Sequence, residues 1–382
     1  MELPEISGTR WDLIVVGAGI AGGYLAYQMA RLGHKVLLVE KEKLGRTKVC
    51  GGCLNANGIR ILREAGLGTV LDSLDSPSLK EMQLCVGGTS AQIPIGGGLA
   101  ISRAKFDQAL TERATSAGAT FSPETVAQSA TSEIDGVIVK LKRGRDLYSC
   151  HAKVVVSAEG LHGSFLQRVT GGGALVAQNS LIGAGANLKL SQSSYRLGTV
   201  YMVVEKEGYL GIVQTAEKQL TLAAALNVSH LKRNGGVTGS VKALFNKAAF
   251  PDIHGWEKLQ WKGTVSLTRE AKNISDGRVF AIGDAASYIE PFSGEGMTWA
   301  LYSVEALLPI LKGAILKWEP DYTAQWQCRY REVIRPMQAR AKVVSSLIRK
   351  PLLCKTALCI VRAFPGLATP FTSPKMGATR CG

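Results

Sequence analysis

The fold is decided by residues 11–22, WDLIVVGAGIAG, together with residues 36–40, VLLVE. The apolar run before the first glycine is typical of a buried parallel strand. Gly17, Gly19 and Gly22 then have the G-x-G-x-x-G spacing, in which the first glycine permits a tight turn, the second lets backbone approach a pyrophosphate and the third lets a helix pack close to the strand. This pattern predicts a dinucleotide-binding unit; a purely structural glycine-rich turn is the alternative.

The residues after the glycines support the same interpretation. A helix expected over residues 20–31 directs its first N–H groups and its dipole at the phosphates, so Ile20 and Ala21 are predicted to lie at the dinucleotide. Glu40 ends the second strand, twenty-one residues after Gly19. An acidic side chain there suits ribose hydroxyls and disfavours a 2′-phosphate. The next residue, Lys41, is also predicted to lie at the dinucleotide.

Composition indicates a folded protein with two connected domains. The chain has 382 residues, of which 46% are hydrophobic, enough to bury one large core or two smaller ones. No signal peptide opens the chain, and no apolar run is expected to span a bilayer. Eight cysteines in such a chain are typical of reduced thiols. We therefore expect a cytoplasmic protein.

Positive charge is concentrated toward the C-terminus. Residues 316–382 contain twelve Lys and Arg against three Asp and Glu, so they contribute +9 of the formal charge of +15. A basic amphipathic segment suits an anionic membrane surface, and we expect peripheral contact with the inner face of a membrane. A merely solvated basic tail is the alternative. No nucleic-acid-binding module accompanies the charge, so nucleic acid is not expected as a partner.

Three segments, in the same order, resemble those of the para-hydroxybenzoate hydroxylase-type flavoproteins. They are the glycine unit described above, VVVSAEG at residues 154–160, and residues 283–297, which contain GD and PFSGEGM. The resemblance implies that the dinucleotide is FAD, with Asp284 at the ribityl chain and the helix that begins at residues 294–297 facing the flavin N1–C2=O edge. The further residues predicted at FAD are Val126, Ala158, Gly160, Gly283, Asp284, Pro291, Gly294, Glu295, Gly296 and Met297.

The same resemblance implies an α/β fold. We expect a Rossmann-like FAD-binding domain of the glutathione reductase/para-hydroxybenzoate hydroxylase type, with an inserted, mainly antiparallel β-sheet substrate domain and C-terminal helices. The helices of the basic segment are expected to be broken at Pro336, Pro351 and Pro365. The predicted bounds are 1–80, 100–168 and 270–315 for the FAD-binding domain, 81–99 and 169–269 for the substrate domain, and 316–382 for the basic C-terminal helical segment.

Within this group the chain is more similar to geranylgeranyl reductases. The similarity rests on the segments KVCGG, around Cys50, and SRAKFDQAL, around Arg103. It implies that Cys50, Gly51 and Gly52 lie over the flavin ring beside the substrate cavity, which makes Cys50 the candidate catalytic residue. It also implies that Arg103 contacts the diphosphate end of FAD. Two departures from the pattern are Glu159, where the group usually has Asp, and a missing aromatic-Phe-Pro-Lys segment.

These resemblances imply an FAD-dependent oxidoreductase. The leading hypothesis is reduction of C=C bonds in an isoprenoid or other lipid by hydride transfer, with Cys50 as acid or shield. NAD(P)H bound transiently, or ferredoxin, would supply electrons, because the sequence has no second nucleotide-binding unit. A monooxygenase that hydroxylates an aromatic or lipid-linked substrate is the second hypothesis, favoured by the missing Phe-Pro-Lys segment. A non-catalytic prenyl-lipid carrier is the third.

Cys50 and Cys53 also form a C-x-x-C pattern, which is typical of redox-active pairs and of half a zinc site. The sequence has no second Cys/His pair at ligand spacing, so no metal is expected. A redox pair, a single active-site thiol and simple packing beside a glycine-rich turn remain open at this point.

Overall fold

The computed structural model describes residues 3–290, 292, 294–348, 350, 354, 356 and 358, except for the side chains of Leu3 and Ile348. Its helices are α1 (Leu3–Gly8), α2 (Ile20–Arg31), α3 (Ala56–Glu64), α4 (Gly68–Ser73), α5 (Arg103–Ser116), α6 (Ser164–Thr170), α7 (Val228–Arg233), α8 (Val237–Phe245), α9 (Gly296–Leu316) and α10 (Tyr322–Ile348).

The strands form two main sheets, each of which combines strands from early and late parts of the chain. In chain order they are β1 (Arg10–Val16), β2 (Val36–Val39), β3 (Cys53–Asn55), β4 (Glu81–Val86), β5 (Thr89–Pro94), β6 (Gly98–Ala100), β7 (Thr120–Ser122), β8 (Thr125–Ser132), β9 (Val137–Arg143), β10 (Asp146–Ser157), β11 (Ala174–Val176), β12 (Ile182–Lys189), β13 (Thr199–Glu205), β14 (Gly208–Ala216), β15 (Gln219–Leu226), β16 (Lys262–Ser266), β17 (Arg269–Ala271), β18 (Ser275–Asp276), β19 (Val279–Ala281) and β20 (Ser287–Tyr288).

The first sheet has a parallel centre, in the order β19-β10-β1-β2-β7. Every residue of β2 and β19 is buried, as expected for strands covered on both faces. These strands come from distant parts of the chain, and their carboxyl ends share one edge of the sheet. The turns that follow β1, β10 and β19 therefore meet at that edge, where open α/β sheets bind their ligands.

A seven-stranded sheet, in the order β16-β12-β15-β14-β13-β4-β5, forms the second layer of the molecule. All of its pairs are antiparallel except β13 with β4. One face packs against α7 and α8 around Leu210, Leu222 and Leu244. The predicted fold class, a mixed α/β fold with an inserted, mainly antiparallel sheet, is confirmed. The exact domain bounds stay a proposal.

The turn between β1 and α2 depends on two glycines. Gly17 has φ +104°, a conformation that side chains with a Cβ rarely adopt. A Cβ at Gly22 would lie 1.8 Å from the carbonyl oxygen of Gly17. The helix therefore packs directly on the turn, and its N-terminus stays open toward the edge of the sheet.

The two long C-terminal helices, α9 and α10, differ from two expectations based on the sequence. The helix α10 continues through Pro336 instead of breaking there, because buried Trp326 and Tyr330 before the proline and Ala341 after it hold the helix in place. Pro351 and Pro365 lie outside the described residues. The helix α9 is long and apolar enough to cross a membrane. Its most apolar 18-residue stretch has a mean hydropathy of 1.4, although 61% of that stretch is buried inside the protein.

Candidate active site

A single cavity of about 2050 Å³ lies between the two sheets and the helices α9 and α10. We call it the central cavity. It is about twice the upper end of the roughly 300–1,000 Å³ range of ordinary ligand pockets, so it has room for a dinucleotide and a second large molecule. The predicted site residues on its wall are Gly17, Gly19, Ile20, Ala21, Glu40, Lys41, Cys50, Gly51, Gly52, Arg103, Val126, Ala158, Gly160, Asp284, Gly294, Glu295, Gly296 and Met297.

Two predicted residues within the described part of the chain are not part of this wall. Gly22 lies behind it, packed on Gly17. Gly283 also lies behind it, and its backbone N–H donates to Ser303 Oγ over 2.9 Å. Pro291 is outside the described residues. Most of the residues predicted from the sequence therefore lie on the wall of one cavity, although their segments are up to about 280 residues apart.

The end of the central cavity at the β1–α2 turn is suited to an anion. The N-terminus of α2 opens into the cavity, and a helix N-terminus favours negative charge. Two cations reach over the turn: from the place where a Cβ of Gly19 would lie, Lys48 Nζ is 3.6 Å away and Arg103 Nη2 is 4.0 Å away. A diphosphate at this turn would meet backbone N–H groups and two positive side chains.

Glu40 is held by the backbone at the same end. Its Oε2 accepts a hydrogen bond from the N–H of Ala18 over 3.0 Å, and its Oε1 accepts one from Glu42 over 3.2 Å. Each carboxylate oxygen has two lone pairs, so acceptor capacity remains for a ligand hydroxyl. This geometry fits the ribose role that we predicted for Glu40.

Asp107 holds both cations in place. Its Oδ2 lies 2.6 Å from Lys48 Nζ, and its two oxygens accept bidentate hydrogen bonds of 3.1 Å from Arg103. The Asp107 side chain is only 5% exposed. Burial opposes its ionisation, but the charges of Arg103 and Lys48 lower the pKa of Asp107 nonetheless. Lys48 and Asp107 had no role predicted from the sequence. Only the structure shows that Asp107 pairs with both Lys48 and Arg103.

The loop around Cys50 rests between this ion cluster and the seven-stranded sheet. On one side the Arg103 guanidinium lies near the Cys50 sulfur. On the other, Val49 packs so closely on Gly185 of β12 that an added Cβ there would lie 3.1 Å from it. Lys262 of β16 donates to the carbonyl oxygen of Thr47 over 3.2 Å. Cys50 is therefore placed where the two sheets face each other across the cavity.

Cys50 and Cys53 are both free thiols. Burial, reinforced by the neighbouring Cys50, raises the pKa of Cys53 to about 12. A thiol with that pKa is almost entirely protonated at neutral pH and is a poor nucleophile in disulfide exchange. Of the two thiols, Cys53 is therefore the less suited to act as a nucleophile.

Two oxygen groups on the wall complete the polar part of the site. Burial raises the pKa of Asp284 to about 6, with Arg103 and Lys48 acting in the opposite direction. Burial and then Asp284 raise the pKa of Tyr288 well above its usual range, with smaller contributions from Tyr209 and Cys50. Tyr288 therefore keeps its proton at neutral pH. It lies in the same part of the cavity as Cys50, and the sequence offered no signal for it.

A large part of the remaining wall of the central cavity is apolar. The cavity-facing side of the seven-stranded sheet presents branched and sulfur-containing side chains, and the small residue Gly211 lies beside Met202 at their centre. Tyr209 and Phe292 make an edge-to-face contact with ring centroids 5.6 Å apart. The apolar residues of this part of the wall are Leu79, Met82, Leu84, Ile93, Ile95, Val200, Met202, Val213 and Phe292.

Comparison with known proteins decides the family. A model of the FAD binding domain family matches residues 10–316. The chain belongs to this FAD binding domain family. The predicted cofactor, FAD, is thereby supported, and it fits the observed cradle: a glycine turn without side chains, a helix N-terminus and two cations held by one buried carboxylate.

Individual relatives of this FAD binding domain protein are distant. The chain is 24% identical to squalene monooxygenase of Rattus norvegicus over 80% of its own length and 55% of that protein. It is 22% identical to digeranylgeranylglycerophospholipid reductase of Thermoplasma acidophilum over 85% of its own length and 83% of that protein. A geranylgeranyl bacteriochlorophyll reductase-like structure from T. acidophilum matches with TM-score 0.78 and 20% identity, covering 92% of this chain and 91% of that one.

One departure from the family pattern has a structural explanation. The carboxylate of Glu159 accepts hydrogen bonds from the N–H groups of Phe165 and Leu166, at distances of 3.0 to 3.1 Å, and from Ser157 Oγ over 3.0 Å. These are the free N–H groups of the first turn of α6, which an acidic side chain stabilises. Glu159 therefore joins the end of β10 to α6 in this FAD binding domain.

We predict that Asp107→Asn destabilises the FAD-free protein by about 3 kcal/mol, because it removes the buried carboxylate that pairs directly with both Lys48 and Arg103. The matched control is Asp72→Asn, since Asp72 is 73% exposed and 4.0 Å from Arg63, and we expect a loss below about 1 kcal/mol there. Urea unfolding at neutral pH measures both. The Asp107 contribution exists above the ordinary aspartate pKa and is lost as pH falls through the lowered one. Equal losses in the two variants would contradict the role of Asp107.

Proposed function

We propose that the protein is an FAD-dependent reductase that saturates C=C bonds of an isoprenoid or other long-chain lipid. The observation that carries the proposal is the position of Cys50, between the predicted diphosphate end and the apolar part of one continuous cavity. The similarity to digeranylgeranylglycerophospholipid reductase over most of both chains supports the substrate class.

In such a reaction, bound FAD supplies a hydride to one carbon of the double bond, and the other carbon needs a proton. The chain's own part is to orient the lipid along the apolar wall, to exclude water and to deliver that proton. We propose Cys50 as the donor, because its thiol lies at the cavity wall near the Arg103 guanidinium. Tyr288, which stays protonated in the same region, is the second protic group.

We also propose that electrons reach the cofactor from NAD(P)H bound transiently, or from ferredoxin. Among the described residues, β1 is the one strand that is followed directly by the G-x-G-x-x-G spacing. NAD(P)H would therefore bind without a nucleotide-binding fold of its own.

A monooxygenase is the second candidate. The similarity to rat squalene monooxygenase favours it, as does Gly208–Val213, where the reductases are expected to have their aromatic-Phe-Pro-Lys segment. The same cavity would then hold the substrate while oxygen reacts at the cofactor. The apolar wall and the anion-binding end suit a reductase and a monooxygenase equally, so the reaction product is what distinguishes the two candidates.

We expect the chemically reduced, FAD-loaded protein to add two hydrogens to a component of a polar-lipid and quinone extract in the absence of air. Mass spectrometry of the extract before and after incubation measures this. A product heavier by one oxygen atom and formed only in air would replace the reductase proposal by the monooxygenase.

We expect Cys50→Ala to retain FAD and to slow single-turnover product formation at least about 100-fold, the usual contribution of a positioned general acid. Tyr288→Phe serves as the comparison, since it removes the other protic group of this region. A normal rate in Cys50→Ala together with a slow rate in Tyr288→Phe would transfer the proton-donor role to Tyr288.

We further propose peripheral contact with an anionic membrane through the exposed side of α10. Val343 is 58% exposed and follows the basic residue Lys342, a combination suited to a lipid surface.

We expect the double variant Lys342→Glu/Val343→Asp to co-sediment less with anionic vesicles than the wild type, because it removes one positive and one apolar contact with the lipid surface. The control is Ile134→Asp, which removes a 98% exposed apolar side chain from the loop after β8. Equal binding by both variants would argue against α10 as the membrane-facing element.

A further inference from the structure

One face of α10 lines the central cavity. Its wall residues recur three or four positions apart, as neighbours on one side of a helix do. Among the described residues of this face, Arg340 is the single charged side chain after Glu332; the others from there on are aliphatic or sulfur-containing. The wall residues of α10 are Arg329, Glu332, Val333, Pro336, Met337, Arg340, Val344 and Leu347.

Arg340 differs from the other arginine on this face. Arg329 has an acidic neighbour, Glu332, at 3.6 Å. Arg340 makes no ion pair or hydrogen bond within the described part of the chain. The sequence offers none further on, because residues 333–382 contain nine Lys and Arg and not one Asp or Glu.

A second arginine borders the cavity from α3, but its charge is already balanced. Arg60 makes hydrogen bonds of 3.0 Å to both oxygens of Glu64 and one of 3.4 Å to the Tyr302 hydroxyl. Arg340, which is exposed to solvent, therefore presents a positive charge at the edge of this apolar face with no acidic partner among the described residues. A neutral hydrocarbon would leave that charge to water, whereas an anion would pair with it and leave the apolar stripe for a hydrocarbon chain.

We propose that Arg340 binds the anionic head group of an amphiphilic substrate, a phosphate or carboxylate, whose hydrocarbon chain lies in the apolar part of the central cavity. This inference rests on the proposed function and deepens it, because it gives the lipid substrate a charged end and an orientation. The guanidinium fork matches both kinds of head group with two parallel hydrogen bonds. The chain then runs along the stripe that contains Val344 and Leu347 toward the seven-stranded sheet.

The test compares two ligands that differ only in the head group, farnesyl phosphate and farnesol, below their aggregation concentrations. Their affinities for the oxidised, FAD-loaded protein are measured by calorimetry, which requires no turnover. We expect farnesyl phosphate to bind at least about tenfold more tightly than farnesol, as expected for one charge-assisted pair. Arg340→Gln should abolish this ratio, and Arg340→Lys should restore part of it.

The matched control is Arg331→Gln. Arg331 is an exposed arginine on the same helix, away from the cavity wall, whose Nε donates to the carbonyl oxygen of Gln327. The Arg331→Gln substitution removes the same charge from α10 and should leave the ratio of the two ligand affinities unchanged. An unchanged flavin absorption spectrum in each variant verifies that the protein is folded and loaded.

Two results would overturn the proposal. One is a ratio that survives Arg340→Gln or is lost equally in Arg331→Gln, which would mean that general positive charge attracts the phosphate. The other is inorganic phosphate that binds as tightly as farnesyl phosphate and competes with it, which would mean that the site takes a free anion. Because the assay measures binding alone, a protein that proves to be no reductase could still confirm Arg340, and a true reductase could still refute it.

Discussion

The site depends on one buried carboxylate. Asp107, on α5, pairs with Arg103 from the start of the same helix and with Lys48 from the loop before β3. These pairs place two cations beside the β1–α2 turn, and Arg103 also reaches the Cys50 sulfur. Because both cations are partly buried, neither would remain there without the acid. The anion-binding end and the candidate catalytic thiol therefore share one electrostatic support.

The central cavity combines this polar end with a long apolar one. The parallel sheet supplies the glycine turn and the polar groups, whereas the seven-stranded sheet and α10 supply the apolar wall. Close backbone approach joins the two halves: Val49 lies on Gly185, and Gly52 lies within van der Waals distance of Thr215. Small residues at these contacts let the Cys50 loop lie flat on the sheet. A ligand that spans the cavity would meet charge at the glycine turn and hydrocarbon along most of the remaining wall.

Local patterns predicted local structure well. The helix expected over residues 20–31 is observed as Ile20–Arg31, because glycine spacing and apolar periodicity act within one turn or strand. The break expected at Pro336 was wrong, since packing on both sides of the proline outweighs the lost hydrogen bond. The sequence pattern also did not predict the role of Glu159, because its carboxylate accepts hydrogen bonds from N–H groups of the following helix, α6.

The sequence by itself determined the fold class, the dinucleotide turn and a minority of the residues that line the cavity, because these depend on short motifs whose order along the chain is visible. Only the tertiary structure decided what those residues contact. The pairing of Lys48 with Asp107 joins residues 59 positions apart, Tyr288 lies near Cys50, and Arg340 lies on the apolar face of α10 with no acidic partner in the part of the chain that the structure describes. Such contacts arise from packing between distant segments, and no periodicity or spacing within one segment encodes them.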